Sequence, residues 1–438
     1  MVSARALRIL WVFPYVLILV LFCPFAHGKV ISVDDDGPAD FDNISSGLLA
    51  AEYGDTVSVA PGTYDENVKL KDGIELLGAG AEVTIIDARG YGDVVDARAN
   101  NATISGFTLR NSGENDLWHT NCGVYINGDY APIVKDNVIA DNRTGIGLWD
   151  GAHPEIRNNI ILNNSLGLYI YGSAENPSSP DIFNNTIVNN QLDGITLRVM
   201  VSPIIVNNII AGHVNGINHN YVTGSPALGY NNLWDNDVNY LRDNRVDETL
   251  AGPGSISVDP CFAEPGYWAD VNDPNAVWVR GDYHLKSEAG RYDPATQTWI
   301  LDEITSPCID AGDPNTPVDL EPSPNGGIVN MGAYGGTAQA SKSPSSLYAK
   351  YSGGIGEPND PYQIATAEDL IALGETPEDY DKHFILTADI DLDPNLPGRK
   401  VFDKAVIAST TSWEERIPFT GVFDGNSHSI CHLTINGT

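Results

Sequence analysis

The sequence predicts an all-β solenoid, a parallel β-helix, on three observations. A unit of 22–26 residues recurs through the middle of the chain, each copy opening on a proline. Asparagines recur in two fixed columns of that unit. Apolar and polar residues alternate in short runs within each copy. The copies begin at Pro132, Pro154, Pro180, Pro203 and Pro226, in steps of 22, 26, 23 and 23 residues. Asn142, Asn164, Asn190 and Asn236 hold one column, with His213 in the fourth place. Asn137, Asn159, Asn185, Asn208 and Asn232 hold the other.

Each copy reads as a short strand, a turn, a second short strand, a turn, then a glycine and a third strand. In the third strand Ile146 and Leu148, Leu168 and Ile170, and Ile195 and Leu197 keep period two, the mark of one buried face. A single unit cannot bury that face, so stacking creates the core. Asparagine suits the turns because it tolerates left-handed backbone, and its amide can bond to the asparagine of the next coil. Several of these asparagines match glycosylation sequons; a ladder accounts for their recurrence better. Weaker copies at 55–80, 81–101 and 102–131 bring the expected total to about eight coils between 55 and 240. The segment 43–53 (NISSGLLAAEY) is helical in pattern with Asn43 as N-cap, placed to cover the open N-terminal end.

Charge narrows the partners. The chain has 24 Lys+Arg against 58 Asp+Glu, a formal net charge of −34. Such a surplus repels nucleic-acid phosphates and anionic membrane surfaces. A hydrophobic content of 42% rules out a disordered acidic tail. Arg5 and Arg8, an apolar run from Ile9 to Phe25, and Ala26-His27-Gly28 form the pattern of a signal peptide over residues 1–28. The protein is therefore expected to be exported, secreted or held at the cell surface, with Lys29 as its first residue. A lipoprotein signal ending at Cys23, disfavoured by the bulky Phe22, and an uncleaved anchor are the alternatives. No other segment is apolar enough to span a bilayer, so no membrane insertion is expected after cleavage. Cys261 (VDPCFAEP) and Cys308 (TSPCIDAGDP) sit in similar proline-flanked loops and are a candidate disulfide, with two unpaired thiols as the alternative. No CxxC or His/Cys spacing suggests zinc.

Residues 31–90 and 132–240 resemble the right-handed parallel β-helix repeat proteins of pectin-lyase-like fold. The entry VDDDGPADF…GDTVSVAPGTYDENV…GIELLGAG…TIIDARG carries the likeness at one end. DYHLKS…SPCIDAGDP…NGGIVNMGAYGGT (282–337) resembles the tail that often closes secreted bacterial members. The resemblance implies a right-handed β-helix domain over 29–340, with a closing segment from about 250 to 340, and says little about activity. Residues 341–350 read as a linker. Residues 351–438 (YSGGIGEPNDPYQIATAEDLIALG…HFILTADIDLDP…FTGVFDGNSHSICHLTINGT) resemble the start of a GLUG-motif region, a β-rich module of bacterial surface and secreted proteins. Within it 366–373 predicts a short helix capped by Thr366 with Asp369 at N3. The module is expected to be truncated, a fragment of a longer repeat; a module that ends naturally is the alternative.

Register then places the surface chemistry. If Val124, Ile146, Leu168, Ile195 and Ile217 point inward, one outward column is Tyr125, Gly147, Tyr169, Thr196 and Asn218. The next is Asn127, Trp149, Tyr171, Arg198 and Asn220. Tyr125, Trp149, Tyr169 and Tyr171 offer faces for sugar rings, with Arg198 among them, and a long groove suits an extended polymer. In β-helix polysaccharide lyases a Lys or Arg removes the proton beside a uronate carboxylate while calcium acidifies it. That resemblance makes Arg198 a weak catalytic candidate and Asp129, Asp150 and Asp193 weak calcium candidates, against a plain surface salt bridge. Asp34–Asp36 and the run Asp389–Asp393 (DIDLD) are further calcium candidates without EF-hand spacing. The residue set of a β-helix polygalacturonase is not found, and Gly212-His213 falls in the asparagine column. The Gln/Asp/Arg set of the β-helix pectin esterases is not recognisable either. The leading expectation is an exported protein that binds extracellular polysaccharide or serves in adhesion, without assigned catalysis. A calcium-assisted polysaccharide lyase or a glycoside-hydrolysing enzyme is the second, and an architectural spacer the third.

Overall fold

A computed structural model describes residues 28–114, 121–269, 278–344, 351–354, 356–396, 401–402, 404–407 and 417–436. Residues 1–27, within the expected signal peptide, and most of the expected linker 341–350 lie outside the described residues. Three stacks of parallel strands run the length of a right-handed β-solenoid. Sheet 1 has nine strands, from Val30–Val33 to Ala227–Gly229. Sheet 2 has eight, from Gly62–Tyr64 to Asn232–Trp234. Sheet 3 has nine, from Val68–Lys69 to Arg245–Val246, of which only the last pairs antiparallel. One coil runs through Ile133–Lys135, Val138–Ala140 and Thr144–Trp149, the strand–turn–strand–turn–strand order of the repeat.

The inward residues form one continuous core. Ile104, Val134, Ile156, Ile182 and Ile205 of sheet 1 meet Ile139, Ile161, Ile187 and Ile210 of sheet 2 and the leucines and isoleucines of sheet 3. Each contributes roughly 1.5–3 kcal/mol by leaving water. A helix at Ile44–Ala50 sits against the first strands, its N-terminus capped by the Asn43 side chain, which accepts from Ser46 N at 2.8 Å. It is shorter than the pattern over 43–53 suggested.

Both asparagine columns are buried ladders. Asn159 Oδ1 accepts from Asn137 N and Nδ2 at 3.1 and 3.3 Å, and Asn185 serves Asn159 in the same way at 3.0 Å. Asn208 continues the series and hands it to Asn231, not to Asn232. The shift has a backbone cause. The residue before each ladder member is left-handed: Asp136, Asn158, Asn184 and Asn207 have φ of 52–59°. In the last coil Tyr230 takes that conformation at φ 52°, so the first asparagine of its pair enters the ladder. The second column runs Asn142–Asn164–Asn190–His213–Asn236. His213 Nδ1–H donates to Asn236 Oδ1 at 2.9 Å while Nε2 accepts from Asn190 Nδ2 at 3.1 Å. Burial lowers its pKa to about 4, so the ring stays neutral.

The closing segment packs along the side of the solenoid. Phe262, Tyr283, Leu285, Cys308, Met331 and Ala333 cover the outer face of sheet 2, where Val138, Ala140, Ile160, Leu162, Val188 and Ile209 point. Asn158 and Asn184 use their side-chain amides to hold the carbonyls of Ala333 and Asn330 at 2.9 and 2.8 Å. The disulfide expected between Cys261 and Cys308 is not formed, and both are free thiols. Cys308 is fully buried with its sulfur 3.1 Å from Asn232 Nδ2, and the Cys261 thiol faces the Asp259 carbonyl. At the C-terminal end of the solenoid His219 aligns with the inward Leu197 and with the exposed Arg242, and His219 and Arg242 line a pocket of about 530 Å³.

The C-terminal module has its own core around Tyr351, Leu370, Phe384 and Ile390. Strands Tyr362–Ile364, His383–Leu386 and Val422–Asp424 pair in parallel, as do Ile390–Asp391 and Ile430–Cys431. Its helix spans Ala367–Glu375, with Thr366 and Asp369 closing a reciprocal capping box. The longer strand runs and the helix follow the expected β-rich pattern; nothing in this arrangement identifies a GLUG motif.

Candidate functional site

Sheet 3 differs from its companions in carrying strands of up to seven residues, with an outer face partly exposed at Tyr125, Trp149, Tyr169 and Tyr171. Its register aligns Tyr125 with Gly147, Gly147 with Tyr169, and Tyr169 with Thr196. Asn127 aligns with Trp149, and Tyr171 with Arg198. Alternate residues of the same strands, such as Val124, Ile146, Leu168 and Ile195, are wholly buried. Both outward columns therefore lie on one surface.

Gly147 decides how the rings assemble. A side-chain carbon there would lie 2.4 Å from the Trp149 indole and 2.6 Å from the Cys122 sulfur. Without one, the indole folds back over Gly147 and enters the column of Tyr125 and Tyr169. The result is a row of three half-buried rings: Tyr125 and Trp149 have centroids 5.2 Å apart at 42°, Trp149 and Tyr169 5.7 Å apart at 38°. Cys122 is buried beneath this row, and desolvation holds its thiol well above the ordinary range. Asn127 Nδ2 donates to the Tyr125 hydroxyl at 2.9 Å.

A cation stands at each end of the row. Arg198 is exposed and its Nη1 donates to the Tyr169 hydroxyl at 3.4 Å. At the other end the Arg98 guanidinium lies 5.4 Å from the centre of the Tyr125 ring. Asp96 anchors it through two hydrogen bonds of 2.8 and 2.7 Å. Asp96 is the register partner of Tyr125, so this pair extends the column by one coil. Sequence reasoning began the columns at Val124 and missed Asp96 and Arg98. The alternation of Val95, Asp96 and Ala97 carries the signal, since it repeats that of Val124, Tyr125 and Ile126.

The acidic residues expected around Arg198 do not gather there. Asp193 opens the strand Asp193–Val199, whereas Asp150 follows the end of Thr144–Trp149. Roughly 20 Å of extended strand separates those two levels. Asp193 is buried and filled by neutral donors, Thr196 Oγ1 at 2.6 Å, Asn215 Nδ2 at 2.7 Å and Asn218 Nδ2 at 2.9 Å. Asp129 is exposed and lies 3.5 Å from His153 Nδ1. Among the described residues, no carboxylate pairs with Arg198, and the metal-competent groupings are Asp34–Asp36 and Asp391 with Cys431 and His432. This surface can stack on apolar faces and donate hydrogen bonds from fixed cations. It does not bring a carboxylate set to its one candidate base.

Residues 72–237 match the family described as the right handed beta helix region. No curated protein matches the chain. Among solved structures the chain is similar to a pectin methylesterase in complex with a hexasaccharide, with 13% identity, 47% of this chain and 70% of that one covered, and a TM-score of 0.31. It is similar to pectin methylesterase PemA from Erwinia chrysanthemi at 12% identity, with 58% and 85% covered and a TM-score of 0.31. The A-module of the Azotobacter vinelandii mannuronan C-5 epimerase AlgE4 is similar at 16% identity, with 49% and 91% covered and a TM-score of 0.24.

Proposed function

We propose that the outer face of sheet 3 binds an extended extracellular polysaccharide, and that the protein is exported to do so. The observation that carries the reading is the row Tyr125–Trp149–Tyr169, held between Arg98 and Arg198. Aromatic rings at successive coils match the apolar faces of successive sugars. The planar forks of the two guanidiniums suit carboxylates on the polymer, which favours an acidic glycan in spite of the chain's own negative charge. Arg198 serves as a binding cation in this reading. Its partner is a tyrosine hydroxyl, and the carboxylates that a calcium-assisted elimination needs lie elsewhere.

A panel of neutral and uronate-containing polysaccharides tests it. Binding to a uronate polymer is expected, without release of unsaturated product. Trp149→Ala should weaken that binding about tenfold, the cost of one stacked ring. Unchanged affinity in that variant would place the ligand on another face, and unsaturated product would restore the lyase.

A further inference from the structure

The C-terminal module brings together donors that the sequence keeps far apart. Strands Ile390–Asp391 and Ile430–Cys431 pair in parallel with Asp391 opposite Cys431. His432 follows in the left-handed region at φ 56°. Its Nδ1 lies 2.8 Å from Asp391 Oδ1. The Cys431 sulfur sits on the same seam, 3.6 Å from the Ile390 carbonyl oxygen. One ligand atom from each of Asp391, Cys431 and His432 lies within 4.8 Å of the other two. The neighbouring carboxylates have other work: Asp389 accepts from Ser429 N and Oγ, and Asp393 from Asn395.

We propose that Asp391, Cys431 and His432 form a binding site for a divalent transition-metal ion of the zinc class. The donor set is one sulfur, one imidazole nitrogen and one carboxylate oxygen. Calcium and magnesium demand shells of oxygen, so the thiolate and imidazole select against them. Three protein donors within one ion's reach fill three corners of a tetrahedron and leave the fourth for water or an incoming group. The seam is partly exposed, so the ion has an entry path, and Asp389 and Asp393 add negative field. The sequence pattern gave no hint of zinc because no two donors sit at a local ligand spacing. Asp391 and Cys431 are 40 positions apart and meet only through strand pairing.

Cobalt(II), titrated into the purified full chain under reducing conditions, reads the site directly. A sulfur-to-cobalt charge-transfer band is expected at one equivalent, bleached by equimolar zinc and untouched by excess calcium. Cys431→Ser should abolish the band, and His432→Gln should weaken zinc binding by more than the ~10–100-fold that loss of an outer-sphere partner costs. A wild-type chain without the band is decisive even if a variant fails to fold. Absence of the band, or its persistence in Cys431→Ser, overturns the proposal, as does a wild-type site that binds calcium and not cobalt.

Discussion

Sheets 2 and 3 are built by the same coils and meet opposite fates. In sheet 2 the runs Val138–Ala140, Ile160–Leu162 and Ile209–Ala211 are apolar at every position. The middle residue of each enters the solenoid core and the outer two enter a second core under residues 262–333. In sheet 3 the inward residues are largely apolar, but the outward ones are Tyr, Trp, Asn, Thr and Arg, of which the rings stay partly exposed and Arg198 is exposed. A strand apolar on both faces demands a cover, and a strand apolar on one face offers a surface. The difference between scaffold and site in this molecule therefore lies in the alternate residues of otherwise equivalent strands.

The sharpest way to break the comparison is to exchange the environments. Leu162→Asp places an unpaired charge in the second core and should cost about 3 kcal/mol or more. Tyr171→Asp puts the same carboxylate on the open face and should leave stability within about 0.5 kcal/mol. Denaturant unfolding of both variants checks the pair. Equal costs would mean that sheet 3 is covered as well.

Asn185→Ala tests the ladder in the turn that leads from sheet 1 into sheet 2. It removes the acceptor used by Asn159 and the donor to Ile156 O and Asn208 Oδ1, all buried. Each orphaned group costs about 1–3 kcal/mol, so the loss should approach that of Leu162→Asp. A smaller effect follows from His213. Its folded-state pKa is depressed to about 4. The unfolded chain takes up its proton near pH 6.5 and the folded chain does not. The neutral ring's stability is therefore full above pH 6.5 and is lost as pH falls towards 4. His219, lowered to about 4 by burial and then by Arg242, acts in the same direction. His213→Asn completes the ladder with an amide, and melting temperatures between pH 7 and 4 should then fall less steeply than in the parent. The most specific effect on binding is expected of Gly147→Ala, whose methyl would also press on the buried Cys122 sulfur. It should expel the indole from the row and lower polysaccharide affinity towards that of Trp149→Ala, with every ring still present.

Much of this was legible in the repeat. Period two set the inward and outward columns, and the observed register pairs Val124 through Ile217, Tyr125 through Asn218, Asn127 with Trp149, and Tyr171 through Asn220. What was missed has physical causes. Paired asparagines hide which member turns the chain and which joins the ladder, and only the backbone of Tyr230 shows that Asn231 takes the seat expected for Asn232. The all-apolar runs of sheet 2 hold the signal of a second cover, which the reading by alternation passed over. Arg98 reaches the row because Asp96 steers it, a contact between side chains that no spacing rule contains. The ring row itself depends on a glycine, whose contribution is the absence of atoms.

The seating of Trp149 over Gly147 has a metric consequence. The three rings are carried by adjacent coils, and with the indole folded over Gly147 their spacing of 5.2 and 5.7 Å stays near the separation of stacked strands. The protein thus presents a graduated scale with divisions set by its own backbone. A polymer whose units advance at the same pitch stays in phase from one graduation to the next, and one of different pitch falls out of step. Selection on such a surface would act on the length of the repeating unit before it acts on the decoration of that unit.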